Sequence, residues 1–184
     1  MISGEVPLTA DVLLRPVTLD DAEALARAYR RNRVHLEPWE PRRPEAFYTT
    51  QGQADRIRAQ LEEAAAGRSA NWVLARDGEI AGHAALSNIV LGPVRSGNLG
   101  YWIDAEQTGR GLASAAANAV CEAADSRLLL HRVEAGTLLH NTASQRVLKK
   151  CGFEEYGVAR GFLHINGAWR DHRLFERILN DREP

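Results

Sequence analysis

The apolar positions of this chain repeat with two different periods, and the places where the period changes mark out its elements. Asp11 to Val17 is a short apolar run that predicts a first strand. Directly behind it, Thr18-x-x-Asp21 forms a capping box for a helix with Ala22, Leu25, Ala26 and Tyr29 on one face. Glu37 to Thr49 carries three prolines and predicts a loop. A second capping pattern, Thr50-x-x-Gln53, opens a helix expected to bury Ala54, Ile57, Leu61 and Ala65, with Gly67 in the C′ place. Strands over Asn71 to Arg76 and Glu79 to Val90 flank Asp77-Gly78, a dipeptide suited to a two-residue hairpin turn. A strand over Leu99 to Asp104, a glycine loop and a helix of small residues come next. His131 to Thr137 predicts another strand, Asn141 caps a last helix that Gly152 ends, and Arg160 to Ile165 pairs with Ala168 to Ile178 across Asn166-Gly167. No internal repeat interrupts the series, so residues 1–184 read as a single mixed α/β domain.

The glycine loop is Thr108-Gly109-Arg110-Gly111-Leu112-Ala113. Two glycines let backbone N–H groups approach an anion with no Cβ in the way, and the helix behind them aims its unpaired N-terminal donors at the same point. That end carries roughly half a positive charge, which suits a pyrophosphate. Leu112, Ala113, Ala116, Ala117, Val120 and Ala124 form one stripe of mostly small side chains, which predicts close packing of the helix on a sheet. A P-loop requires Gly-x-x-x-x-Gly-Lys-Ser/Thr, and a dinucleotide fingerprint requires a third glycine and an acidic residue about twenty positions on; the spacing here excludes both.

Composition narrows the setting. With 45% hydrophobic and 26% charged residues, 184 residues suffice for one sizeable core. No twenty-residue apolar run and no signal peptide is read, so the expected setting is soluble and cytoplasmic, away from membranes. A net charge of −1 argues against direct nucleic-acid binding. Cys121 and Cys151 lack C-x-x-C spacing and are expected as buried free thiols, and the histidines form no metal-ligand pattern, so no metal is expected.

The loop pattern Thr108-x-x-Gly111-x-Ala113 resembles the acyl-CoA loop of the GNAT N-acetyltransferases, which reads Gln/Arg-x-x-Gly-x-Gly/Ala. Thr108 departs from it, with Gln107 one residue away. A second stretch, Asn141 through Phe153, can be read as an ordinary capped helix with Ala143, Val147 and Cys151 on its apolar face. It is also similar to the family's Asn-x-x-Ser/Ala helix ending in Gly-Phe, which lies along the pantetheine arm. Pro38-Trp39-Glu40-Pro41, Ser87-Asn88-Ile89-Val90, Leu99-Gly100-Tyr101-Trp102-Ile103 and Trp169-Arg170-Asp171-His172 resemble the branch of that family acting on ribosomal-protein N-termini. The resemblance implies a mostly antiparallel seven-stranded sheet, flanked by helices, whose fourth and fifth strands form a splayed parallel pair. It implies acetyl-CoA as co-substrate and a primary amine as acceptor, most of all the N-terminal alanine of a ribosomal protein. A small-molecule or peptide-antibiotic acetyltransferase would share the loop, and so would a non-catalytic acyl-CoA sensor. Monomer and homodimer both stay open.

The resemblance also implies roles. Trp102, Ile103 and Asp104 offer backbone groups to pantetheine, Thr108 to Ala113 hold the pyrophosphate, and Asn141 and Ser144 bind along the pantetheine arm, Ser144 on the thiol side. Many family members place a tyrosine four residues beyond Ser144 to protonate the thiolate; here that place holds Leu148. Ser144 is then either the hydrogen-bond donor to the departing sulfur or a surface serine. The carboxylate that some relatives carry near Phe162 is Gly161 here, which leaves Glu134 or Glu40 at the end of a water chain as candidate base. Trp39, Glu40, Asn88, Tyr101 and Trp169 are the candidate acceptor residues. Three of them have a structural alternative: Trp39 as a loop anchor, Asn88 as a strand stop, Trp169 as a cover for an Arg170–Asp171 pair. Arg146, Lys149 and Lys150 either meet the 3′-phosphate of CoA or form a solvated face.

Overall fold

The computed structural model describes residues 4–183, and its sheet has eight strands, one more than the sequence predicted. The extra strand is β1 (Val6–Pro7), an edge piece paired antiparallel with β2 (Leu13–Pro16). Pro7 has no N–H to donate and belongs at an edge. β3 (Ala70–Arg76), β4 (Glu79–Val90) and β5 (Ser96–Ile103) continue antiparallel, and β6 (Arg132–Leu138) runs parallel to β5. β7 (Glu154–Ile165) is the far edge, and β8 (Ala168–Ile178) lies between it and β6, so the order is β1-β2-β3-β4-β5-β6-β8-β7. The splayed parallel pair expected at the fourth and fifth strands is therefore β5–β6.

Both hairpin turns follow the dipeptides that signalled them. Asp77 and Gly78 have φ of 48° and 79°, and Asn166 and Gly167 have 43° and 83°, the left-handed pair that matches strand twist. β7 begins at Glu154, well before the expected Arg160, because its first half is largely exposed and shows no clean alternation.

Helices cover both faces of the sheet. On one, α1 (Ala22–Arg31) and α3 (Thr50–Ala65) bury Leu25, Ala28, Tyr29 and Ile57 against Val73, Ile80 and Trp102; the short α2 (Arg33–Leu36) adds Leu36. On the other, α4 (Leu112–Ser126) and α5 (Thr142–Lys150) bury Leu112, Ala116, Ala117, Val120, Cys121, Ala124 and Leu148 against Leu86, Leu99, Val133 and Phe175. Details shift from expectation. The cap of α3 is Thr49, whose Oγ1 accepts from the Gly52 N–H at 3.0 Å, while Gln53 is buried and donates to the Phe47 carbonyl at 2.6 Å. Leu61 and Ala65 are exposed because the second half of α3 runs past the core. In α5 the buried side chain is Leu148, and Ala143 faces outward.

Candidate active site

β5 and β6 pair only at Ser96↔Arg132, Gly97↔Val133 and Asn98↔Glu134, then diverge. The divergence leaves a wedge with unpaired strand edges. Antiparallel pairing with β4 sends the backbone groups of alternate β5 residues the other way. The Asp104 N–H donates to the Ala81 carbonyl at 2.9 Å, and a Cβ on Gly82 would lie 2.6 Å from the Trp102 carbonyl oxygen, so these two residues face β4. By alternation Leu99, Tyr101 and Ile103 present their N–H and C=O groups to the wedge. Of the three expected backbone partners, Ile103 lies on the open edge, while the backbone groups of Trp102 and Asp104 turn to β4.

Asp104 is a structural residue. Its buried carboxylate accepts from Arg31 Nε at 2.6 Å, Asn32 Nδ2 at 2.8 Å and the Glu106 N–H at 2.9 Å. Burial pushes its pKa upward, but these donors outweigh burial and hold it below the usual carboxylate range. Asn32 also accepts from the Ala105 N–H at 2.8 Å, which fixes where the glycine loop leaves the sheet. The Trp102 indole N–H donates to the Tyr29 hydroxyl at 2.9 Å, on the sheet face away from α4.

The loop forms the expected cradle. Gly109 and Gly111 have φ of 78° and 79°, and the first intrahelical bond of α4 runs from Ala115 N–H to the Gly111 carbonyl at 3.0 Å. The N–H groups of Leu112, Ala113 and Ser114 therefore stand free at the helix N-terminus. The side chains contribute less than the sequence suggested. The Thr108 hydroxyl donates to the Ala105 carbonyl at 2.9 Å. Arg110 turns outward to Asp11, at 2.6 Å, and to Gln107 Oε1. Gln107, Thr108, Gly109 and Gly111 line the wedge cavity of about 630 Å³; Arg110 does not.

α5 forms the opposite wall. Asn141 Oδ1 accepts from the Ser144 N–H at 3.1 Å, capping the helix and fixing Ser144 at the wedge. Across the gap the Tyr101 hydroxyl lies 2.9 Å from Ser144 Oγ and 3.4 Å from its carbonyl oxygen. Burial pushes the Tyr101 pKa up to about 12, so it stays protonated at neutral pH. A protonated Tyr101 that donates to Ser144 Oγ leaves the serine proton free for the cavity. Arg146 and Lys150 line the same cavity without a carboxylate partner among the described residues, while Lys149 lies outside it.

The acceptor candidates divide. Trp39, Glu40 and Tyr101 line the cavity. Trp39 stacks tilted against His140, ring centroids 5.5 Å apart. Glu40 is the one carboxylate among the lining residues; burial raises its pKa, while Arg43 and Arg56 pull the other way. Asn88 is exposed at a bulge between Ser87 and Val90, at the closed end of the β5–β6 pair, with φ of 51°. Trp169 is 69% exposed against His164 on the outer hairpin. Glu134 lies outside the cavity, accepting from Arg132 at 2.5 Å and from the Tyr156 hydroxyl at 2.9 Å. The structure brings none of these three to the site. Gly161 has φ of 54° at an irregularity of β7, and its N–H donates to Asp171 Oδ1 at 2.8 Å; a left-handed position favours the glycine.

His172 was missed as a candidate in its own right. It is buried, lines the cavity, and its Nδ1 lies 3.1 Å from the Arg170 carbonyl, a group that only accepts. Nδ1 is therefore the donor in that contact. Cys121 and Cys151 are buried and free, and burial raises both thiols, Cys121 to about 11. Neither is suited to nucleophilic attack. Among the described residues no group of His, Cys, Asp or Glu could hold a metal, and no helix is long and apolar enough to cross a membrane.

Known proteins share this fold. The acetyltransferase (GNAT) domain matches residues 11–154. The ribosomal protein uS5-alanine N-acetyltransferase of Escherichia coli is 36% identical over 183 residues, 98% of this chain and 94% of that protein. Ribosomal-protein-S5-alanine acetyltransferase from Vibrio fischeri superposes with a TM-score of 0.93 at 33% identity, covering 98% of this chain and all of that one (100%). RimJ of Mycobacterium smegmatis in complex with CoA-disulfide gives 0.88 at 35% identity, over 95% of this chain and 86% of its own. With the wedge, the cradle and a match along most of its length, the chain belongs to the GNAT acetyltransferase family and is an N-acetyltransferase that uses acetyl-CoA.

Proposed function

We propose that the acceptor is the α-amine of a protein N-terminus, with the N-terminal alanine of a ribosomal protein the favoured case. The observation that carries this is the acid–base content of the cavity, where Glu40 is the one carboxylate among the lining residues. An α-amine with a pKa of roughly 7.8 costs about 1 kcal/mol to deprotonate at pH 7, whereas a lysine at about 10.4 costs about 4.6 kcal/mol. A single carboxylate with a raised pKa is matched to the first task. Likeness to alanine N-acetyltransferases along nearly the whole chain supports the same reading.

In this mechanism the α4 N-terminus and the glycine loop hold the pyrophosphate, and the free β5 edge pairs with pantetheine as an added strand. The ammonium gives its proton to Glu40 through water. The neutral amine attacks the thioester carbonyl, and a backbone N–H of the open β5 edge faces the oxyanion. The tetrahedral intermediate collapses as the C–S bond breaks; the remaining extra proton leaves the nitrogen and reaches the departing sulfur by way of the Ser144 hydroxyl, which Tyr101 holds in place, so CoA leaves as the thiol and the amide is neutral. Thiol release from acetyl-CoA tests the acceptor class. A peptide with a free N-terminal alanine is expected to react faster than a lysine peptide with a blocked N-terminus; the reverse order overturns the proposal.

A further inference from the structure

Beside the wedge, and sharing Leu36 and Glu40 with it, lies a second cavity of about 220 Å³ walled by the proline-rich segment. Its three arginines differ in how far they are already matched. Arg33 is committed: its terminal nitrogens donate to the Glu45 carboxylate at 2.5 and 3.1 Å, and its guanidinium lies 4.4 Å from the Tyr48 ring centroid. Arg43 lies 4.8 Å from the Phe47 ring centroid and approaches Glu40 only to 3.9 Å, beyond hydrogen-bond range. Arg42 has no carboxylate partner among the described residues. Its Nε makes one long bond, 3.4 Å, to Asn166 Oδ1, and its two terminal amino groups remain open.

The position of Arg42 is built into the backbone. The Asn166 N–H donates to the Glu40 carbonyl at 3.2 Å, tying the β7–β8 turn to the segment that carries both arginines. A Cβ on Gly167 would lie 2.9 Å from Arg42 Cζ, so a glycine in this turn is what lets the guanidinium lie across it. Two under-used cations thus line the cavity that Glu40 borders, Arg43 the nearer to its carboxylate. Glu37 also borders the cavity, so the site suits a ligand bearing both signs of charge and not an isolated anion.

We propose that this cavity is an anion subsite for the acceptor, taking a carboxylate borne near the reacting amine between Arg42 and Arg43. It rests on the α-amine reading and specifies its substrate class. Two sources carry such a group: an Asp or Glu side chain at the second or third peptide position, and the α-carboxylate of a free amino acid. Successive Cα atoms are about 3.8 Å apart, so a side chain at either peptide position stays within one or two residues of the reacting amine.

The test compares alanine peptides with Asp or Glu at positions two and three against their Asn or Gln counterparts, and free alanine against alaninamide, by thiol release at fixed acetyl-CoA. The acidic peptide is expected to have a KM about tenfold lower than the amide peptide, as for one charge-assisted contact. In Arg42→Gln and Arg43→Gln that ratio falls to within about twofold of one. Arg58→Gln, which removes an outward-facing cation paired with Asp55, keeps it. If only the free amino acid shows the acid preference, the subsite stands with the second source. Equal KM values for acid and amide in the wild type, or a ratio unmoved by both variants, overturns the subsite and leaves α-amine transfer standing. Reaction with ε-amines alone refutes α-amine transfer, and the same acid-to-amide comparison on ε-amine peptides still decides the subsite.

Discussion

Glu40→Gln separates the proposed base from every other carboxylate of the molecule. In the wild type, Glu40 takes the proton from bound ammonium, so kcat/KM for total amine is level between the raised pKa of Glu40 and the amine pKa near 7.8. Without a base only amine already neutral in solution reacts. The neutral fraction is about 5% at pH 6.5, about 14% at pH 7 and about 94% at pH 9. The variant's kcat/KM is therefore expected to climb about twentyfold from pH 6.5 to 9, while the wild type stays near its plateau below pH 7.8. At pH 6.5 the variant should be about 100-fold slower, the lower end of what a positioned base supplies. Thiol release against a free-alanine peptide at several pH values measures both profiles. Unfolding does not imitate this result. Glu40 sits with its folded pKa raised by burial, so its stability contribution is lost as pH rises through that value, and the glutamine variant should melt at or above the wild-type temperature at pH 7. Profiles that stay parallel across pH would refute the assignment and move the base to another group, with His172, which lines the same cavity, the next to be substituted.

Ser144→Ala is expected to lower kcat about 10- to 100-fold while the Kd for CoA, measured by calorimetry, changes less than twofold; Tyr101→Phe should cost less, because it removes only the group that orients the serine. Gly111→Ala meets no atom within 4 Å but forces alanine to φ near 79°, at about 1–2 kcal/mol, so the melting temperature should fall by roughly 2–8 °C in a thermal scan. His83 is buried with its pKa pushed down to about 3, and its Nε2 has no hydrogen-bond partner among the described residues. The folded state then binds fewer protons than the unfolded state between about pH 3 and 6.5, so wild-type stability should fall by up to about 1.4 kcal/mol per pH unit as pH drops through that window. His83→Leu, compared in urea melts at pH 7 and 5, should lose most of this slope.

Local rules made much of the fold legible. Capping residues, turn dipeptides and the stripe of small residues on α4 act over a few positions, so their consequences are visible in the chain: both hairpin turns, the cradle with its left-handed glycines, and the Asn141 cap. The extra edge strand β1 escaped because two residues carry no period, and Leu61 and Ala65 were misjudged because a helix face does not say how far the core extends. Which face of a sheet a residue joins, and whether a strand edge is already paired, depends on partners distant in sequence. That is why Asp104 proved to be a buried anchor for Arg31 and Asn32, and why Glu134 is taken up by the Tyr156 hydroxyl of β7. The donor site is the part the sequence determined, because phosphate binding needs only a loop and the helix start next to it. Tertiary structure decided which groups face one another around the cavity: Tyr101 against Ser144, the Glu40 segment against the Asn166 turn, and His172 in the wall are brought together across strands and loops that only packing joins.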